Sequence, residues 1–143
     1  MDLARIQEFI GNHLLLVLAF VGTLALFLAG EISRRLSGVA SVGPAEAIRL
    51  GNQENALFLD TREDREYKEG HIAGAVHIPL RQLSQRLGEL EKYRGRPVIL
   101  YCRSGNRSGS AGRLLRKNGF ENVYNLAGGI VAWQKADLPV TRK

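Results

Sequence analysis

Residues 98–108 read Val-Ile-Leu-Tyr-Cys-Arg-Ser-Gly-Asn-Arg-Ser and hold the only cysteine of the chain, Cys102. Four apolar residues rich in β-formers precede it, which predicts a buried strand. Small and cationic residues follow, and then Ser-Gly-Ser-Ala-Gly-Arg-Leu-Leu-Arg-Lys-Asn-Gly over 108–119. In that stretch Ala111, Leu114 and Leu115 share one helical face, and Gly119 is placed as a C-terminal cap. The unit reads as strand, short loop and helix, with the thiol at the head of the loop. Such a loop aims backbone N–H groups and the positive end of a helix at the sulfur. Arg103 and Arg107 add fixed positive charge. All three influences favour thiolate, the form a nucleophilic cysteine needs. A free cysteine after a strand is often just a small core residue, but two arginines and two small residues within five positions argue against a core site.

The spacing bears on the chemistry. Protein-tyrosine and dual-specificity phosphatases need five residues between cysteine and arginine so that the loop wraps a tetrahedral phosphate. Here Arg107 arrives one position early and Ser108 occupies the sixth place. The tighter cradle of Cys102, Arg103, Ser104, Gly105, Asn106 and Arg107 suits an outer sulfur on the cysteine better than a phosphoryl group.

With these residues the chain resembles the rhodanese family of sulfurtransferases, and three other segments agree. Ala56-Leu-Phe-Leu-Asp-Thr-Arg62 is similar to the family's strand ending in Asp-x-Arg. Tyr67-Lys-Glu-Gly-His-Ile-Ala-Gly-Ala-Val-His-Ile-Pro79 is similar to its Tyr-x-x-Gly-His-Ile-x-Gly-Ala-x-x-Ile-Pro stretch, with Ala73 where proline is frequent. Leu126-Ala-Gly-Gly-Ile-Val-Ala-Trp133, followed by Leu138-Pro139, is similar to its C-terminal signature, with Asp137 where a glycine is usual. The resemblance spans roughly Ser41 to Val140. It implies an α/β rhodanese-like domain with a central parallel five-stranded sheet flanked by helices. It also implies Cys102 as the sulfur-carrying residue, and a structural turn at His71.

A single cysteine excludes an internal disulfide and a cysteine-based zinc cluster. His71 and His77 flank a Gly-Ala turn without a ligand-rich partner motif, so both read as structural and no metal or organic cofactor is called for.

The first forty residues lie outside the resemblance. Phe9 to Gly30 contains no Asp, Glu, Lys or Arg, and as a helix it would span about 33 Å, enough for a bilayer core. A cleaved signal peptide would want a basic opening, whereas Asp2 and Glu8 accompany a single Arg5. Bulky Phe27 would also stand where a cleavage site after Ala29 needs a small residue. The segment therefore reads as an uncleaved transmembrane helix that continues through Glu31-Ile-Ser-Arg-Arg-Leu-Ser-Gly38. Residues 1–38 form the anchor with its juxtamembrane linker, and 39–143 the globular domain. Arg34 and Arg35 after the span outnumber Arg5 before it, which orients the C-terminal domain to the cytoplasm of a single-pass protein of the cell (inner) membrane.

The net charge of +6 falls entirely in residues 39–143 and would draw that domain toward an anionic leaflet. Nothing resembles a nucleic-acid motif, and the run 62–69 alternates in sign as a solvated helix does. Pro44 opens a short helix through Leu50. Leu57 to Asp60, Pro97 to Tyr101 and Asn122 to Asn125 read as strands. Leu80, Leu83, Leu87 and Leu90 read as one amphipathic helix. Short strands alternating with helices argue a parallel sheet whose ligands gather at the strand C-termini, where Asp60, Arg62 and Cys102 converge. Asp60 is placed to pair with Arg107 or Arg62, or to serve as an ordinary cap. Trp133 walls the pocket or packs in the core.

The expected chemistry is sulfur transfer. Cys102 takes the outer sulfur of a small anionic donor such as thiosulfate, steered by Arg103, and passes it to a thiol or protein acceptor. The other reading is a rhodanese-like module kept for membrane-proximal binding or scaffolding.

Overall fold

The computed structural model describes residues 2–36 and 38–143. Met1 and Ser37, the latter in the expected linker, lie outside the described residues, as does the side chain of the flanking Arg34. The chain divides into two compact units at Leu36.

The first unit holds α1 (Leu3–Asn12) and α2 (Leu14–Leu36). The expected apolar span, Phe9 to Gly30, is not one helix. His13 leaves the helical region at φ −126° and ψ 35°, so Phe9 to Asn12 finish α1 instead. Gly11, Asn12 and His13 are three weak helix formers in a row, which accounts for the break. The stretch long and apolar enough to cross a membrane is Leu14–Ser33 in α2, and none of it is buried.

The second unit is built on five parallel strands: β1 (Ala40–Val42), β2 (Leu57–Asp60), β3 (Val76–His77), β4 (Val98–Tyr101) and β5 (Val123–Leu126). Their order is β1-β5-β4-β2-β3, with β4 in the middle. All four residues of β4 are buried, because side chains alternate between two covered faces. Val98 and Leu100 join Leu57, Leu59, Ala111, Leu115 and Phe120 in one core. Ile99 and Tyr101 join Leu50, Leu126, Ile130 and Trp133 in the other. The helices α3 (Pro44–Gln53), α4 (Asp64–Glu69), α5 (Leu80–Leu83) and α6 (Asn106–Lys117) lie between the strands, and α7 (Gly129–Lys135) follows the last one.

Several expected boundaries shift. The helix from Pro44 runs on to Gln53 instead of stopping at Leu50. The leucine series from Leu80 to Leu90 is not one helix but the single turn α5 followed by a 3-10 helix, Leu87–Tyr93. Leu87, Leu90 and Tyr93 recur every three residues, the period of a 3-10 helix, so the same leucines still reach the core.

Candidate active site

β4 delivers Cys102 to the carboxyl edge of the sheet, and α6 begins at Asn106. The turn between them depends on Gly105, whose φ of 106° lies in the region that favours glycine. That conformation points the Gly105 N–H back to Cys102 Sγ at 3.0 Å. Ser108, fully buried in the first turn of α6, places its hydroxyl 3.4 Å from the same sulfur. Arg103 and Ser104 are exposed on the rim of the loop.

The far side of the loop is held by the start of α7. The Ile130 N–H donates to the Cys102 carbonyl at 2.9 Å, and the Val131 N–H to that of Arg103 at 3.3 Å. Gly129, at φ 59°, makes this approach possible: a Cβ there would stand 2.4 Å from Arg103 O and 2.5 Å from Cys102 O. The Gly128-Gly129 pair is thus part of the site's framework.

Burial disfavours ionisation of the Cys102 thiol. The Ser108 hydroxyl and the backbone N–H groups of Ser108, Gly105 and Ser104 more than offset it, leaving the pKa below that of an ordinary thiol. The hydrogen-bonding loop, more than the flanking arginines, prepares the anion. Arg107 meets Glu66 of α4 in a two-pronged pair at 2.6 and 2.8 Å. That pairing holds the Glu66 carboxyl down at about 2 and pushes the guanidinium above its usual range. Arg107 therefore braces the loop against α4. Arg103 is the loop cation left on the exposed rim.

Of the two partners expected for Asp60, the structure selects Arg62. Arg62 reaches both carboxylate oxygens, at 3.0 and 2.7 Å, and donates to Gly70 O at 2.7 Å. Both residues are buried, so removing one partner would strand a charge at a cost of about 3–5 kcal/mol. This pair ties β2 to the loop after α4 and does not join the cradle. Trp133 packs edge-on against Phe58 and donates its indole N–H to Pro139 O at 3.0 Å, a core role. His71 and His77 sandwich the Tyr67 ring, at centroid distances of 3.7 and 4.3 Å, and meet backbone carbonyls. Both are structural.

Three residues of the site escaped the sequence. Glu66 hid in the charged run 62–69, where Glu63 and Glu66 also form a capping box. Ser108 entered only as a spacing marker. Asn125, at the end of β5, accepts from Ser108 at 2.6 Å and donates to Gly105 O at 3.0 Å. A polar residue inside an otherwise apolar strand end was the available signal.

Comparisons with known proteins identify the family. The family model described as Rhodanese-like domain matches residues 43–136. The chain is 33% identical over 139 residues to the uncharacterized protein YibN of Escherichia coli strain K12, covering 96% of this chain and 97% of the relative. It is 39% identical over 92 residues to a sulfurtransferase of Allochromatium vinosum, covering 64% of this chain and 84% of that one. The crystal structure of a rhodanese-related protein from Thermoplasma volcanium superposes with a TM-score of 0.66 at 30% identity, covering 73% of this chain and 99% of that one.

Proposed function

The chain belongs to the rhodanese-like family, and from that premise we propose that it is a membrane-anchored sulfurtransferase working through a Cys102 persulfide. The observation that carries this reading is the convergence of the Gly105 N–H and the Ser108 hydroxyl on Cys102 Sγ, with the thiol pKa lowered as a result. Groups that stabilise a thiolate also stabilise a terminal persulfide anion, by the logic of an oxyanion hole.

In the first half-reaction the Cys102 thiolate attacks the outer sulfur of thiosulfate. A Cys102–S bond forms, the donor's S–S bond breaks, and sulfite leaves with the electron pair of that bond. The product on the enzyme is a persulfide carrying one negative charge. In the second, an acceptor thiolate attacks the outer sulfur, the Cys102–S bond breaks, and the Cys102 thiolate is regenerated. Arg103 on the rim steers the anionic donor, whereas Arg107, spent on Glu66, fixes the loop. Ser104 and Asn106 complete the turn, while the Asp60–Arg62 pair holds β2 to the loop after α4, outside the cradle.

Two features support a membrane location. Leu14–Ser33 is long and apolar enough to cross a bilayer. The similarity to YibN also covers nearly the whole length of both chains and so extends beyond the rhodanese-like domain. The arginine excess after the span supports an orientation with the domain in the cytoplasm, where a working thiol stays reduced.

The test is thiosulfate-dependent sulfur transfer to cyanide or a small thiol by the full chain in detergent. Turnover that vanishes in Cys102→Ser is the expected result, with aryl-phosphate hydrolysis at background. A wild-type protein without transfer to any small acceptor would leave the binding or scaffolding role instead.

A further inference from the structure

The Ser108 hydroxyl has one proton and two acceptors within reach: Asn125 Oδ1 at 2.6 Å and Cys102 Sγ at 3.4 Å. The Asn125 amide is oriented by its other end, where Nδ2 donates to Gly105 O at 3.0 Å. Turning the amide over would set two oxygens against each other at Gly105, so Oδ1 faces Ser108, and a carbonyl oxygen can only accept. In the resting thiol the short bond to Asn125 takes the proton, and the lone pairs of Ser108 Oγ are left toward the sulfur. Once the sulfur is an anion, a hydrogen bond to it is charge-assisted and stronger than the neutral one to an amide oxygen.

We infer that Asn125 is a positioning residue that competes with Cys102 for the Ser108 proton, so that the hydroxyl turns to the sulfur only when the sulfur is anionic. The register supports this arrangement: Asn125 of β5 pairs with Leu100 of β4, two residues before Cys102, so the sheet itself carries both the acceptor and the nucleophile. Asn125 touches neither the sulfur nor a substrate. Its effect passes through Ser108, which is fully buried and so held to these two acceptors. The consequence deepens the sulfurtransferase reading and rests on it: the Cys102 thiolate, which attacks the donor and is released again when the acceptor takes the sulfur, would recruit a donor that the neutral thiol leaves idle.

The experiment is the pH profile of Cys102 alkylation by iodoacetamide in the full chain, which needs no sulfur donor. The charged groups at this end of the sheet stay as they are: Arg103 and Arg107 of the loop, Glu66 of α4, and the Asp60–Arg62 pair of β2. Ser108→Ala loses a donor, and its midpoint rises. Asn125→Ala frees the hydroxyl for the sulfur, and the midpoint falls by about half a pH unit, roughly threefold more thiolate below the midpoint. Asn125→Asp offers a stronger acceptor and moves the midpoint up. With Ser108→Ala in the background, Asn125→Ala causes no further shift, and Asn125→Asp keeps only its direct charge effect. Asn125→Asp also serves if Asn125→Ala does not fold. An unchanged or raised midpoint in Asn125→Ala overturns the inference, as does a shift of equal size without Ser108. Absence of sulfur transfer in the wild type, with these shifts intact, would reject the proposed function and leave the competition standing.

Discussion

Ile130 and Cys102 are joined by a backbone hydrogen bond of 2.9 Å, the N–H at the start of α7 donating to the carbonyl at the head of the loop. The bond requires α7 to lie against the loop, and at Gly129 the two segments come too close to admit a Cβ.

Gly129→Ala should therefore damage both stability and chemistry. Its Cβ would overlap the carbonyls of Cys102 and Arg103, and its φ of 59° is unfavourable for alanine. Chemical denaturation should show a loss of about 2 kcal/mol or more. The remaining folded protein should take up sulfur more slowly, because the carbonyl anchors are displaced. Wild-type stability and rate would show that α7 does not brace the loop.

Glu66 governs a second property, the acid limb of stability. Its carboxyl is held near 2, well below the usual 4.5, first by the hydrogen bond to Arg107. A folded-state pKa below the unfolded one gives stability that is present above the unfolded value and is lost as pH falls through the folded one. Wild type should thus lose about 1 kcal/mol between pH 4.5 and 2 through this group, a modest figure because the pair is partly solvated. Glu66→Gln should lack that limb in urea titrations across pH. It should also lower the alkylation midpoint of Cys102, since removing the carboxylate leaves Arg107 free to attract the thiolate. An unchanged acid limb would separate Glu66 from Arg107.

The proposed anchor makes its own prediction. The protein should resist extraction from membranes by alkaline carbonate and keep its N-terminal residues, because Leu14–Ser33 supplies a bilayer's thickness of apolar helix. Protease added outside intact cells should spare the domain and digest it once the membrane is opened. Neutral residues at Arg34 and Arg35 should give mixed orientation, the arginine excess being small. Recovery as a soluble protein lacking its first thirty residues would mark the segment as a signal peptide.

The sequence made the centre of the domain legible because its signals are local. The apolar run into Cys102 required a buried strand, and the small residues after it required a tight loop. What stayed hidden depends on distance in the chain. β1 and β3 are three and two residues long, too short for a periodic pattern, and exist because neighbouring strands complete them. The Arg107–Glu66 pair spans forty-one positions, and the choice of Arg62 over Arg107 for Asp60 is made by how β2 meets the loop after α4. The break at His13 was present in the sequence as Gly-Asn-His, but the apolar residues on either side masked it. Asn125 showed in the sequence only as a polar residue in a short strand, and its part in the site emerged when β5 was set beside β4.

The most direct test of the account is intact mass after thiosulfate. The full-length protein, freed of excess donor, should gain one sulfur, about 32 Da, and lose it again to cyanide or a reducing thiol, while Cys102→Ser gains nothing. An unchanged wild-type mass, or the same gain without Cys102, would contradict the persulfide at the centre of this mechanism.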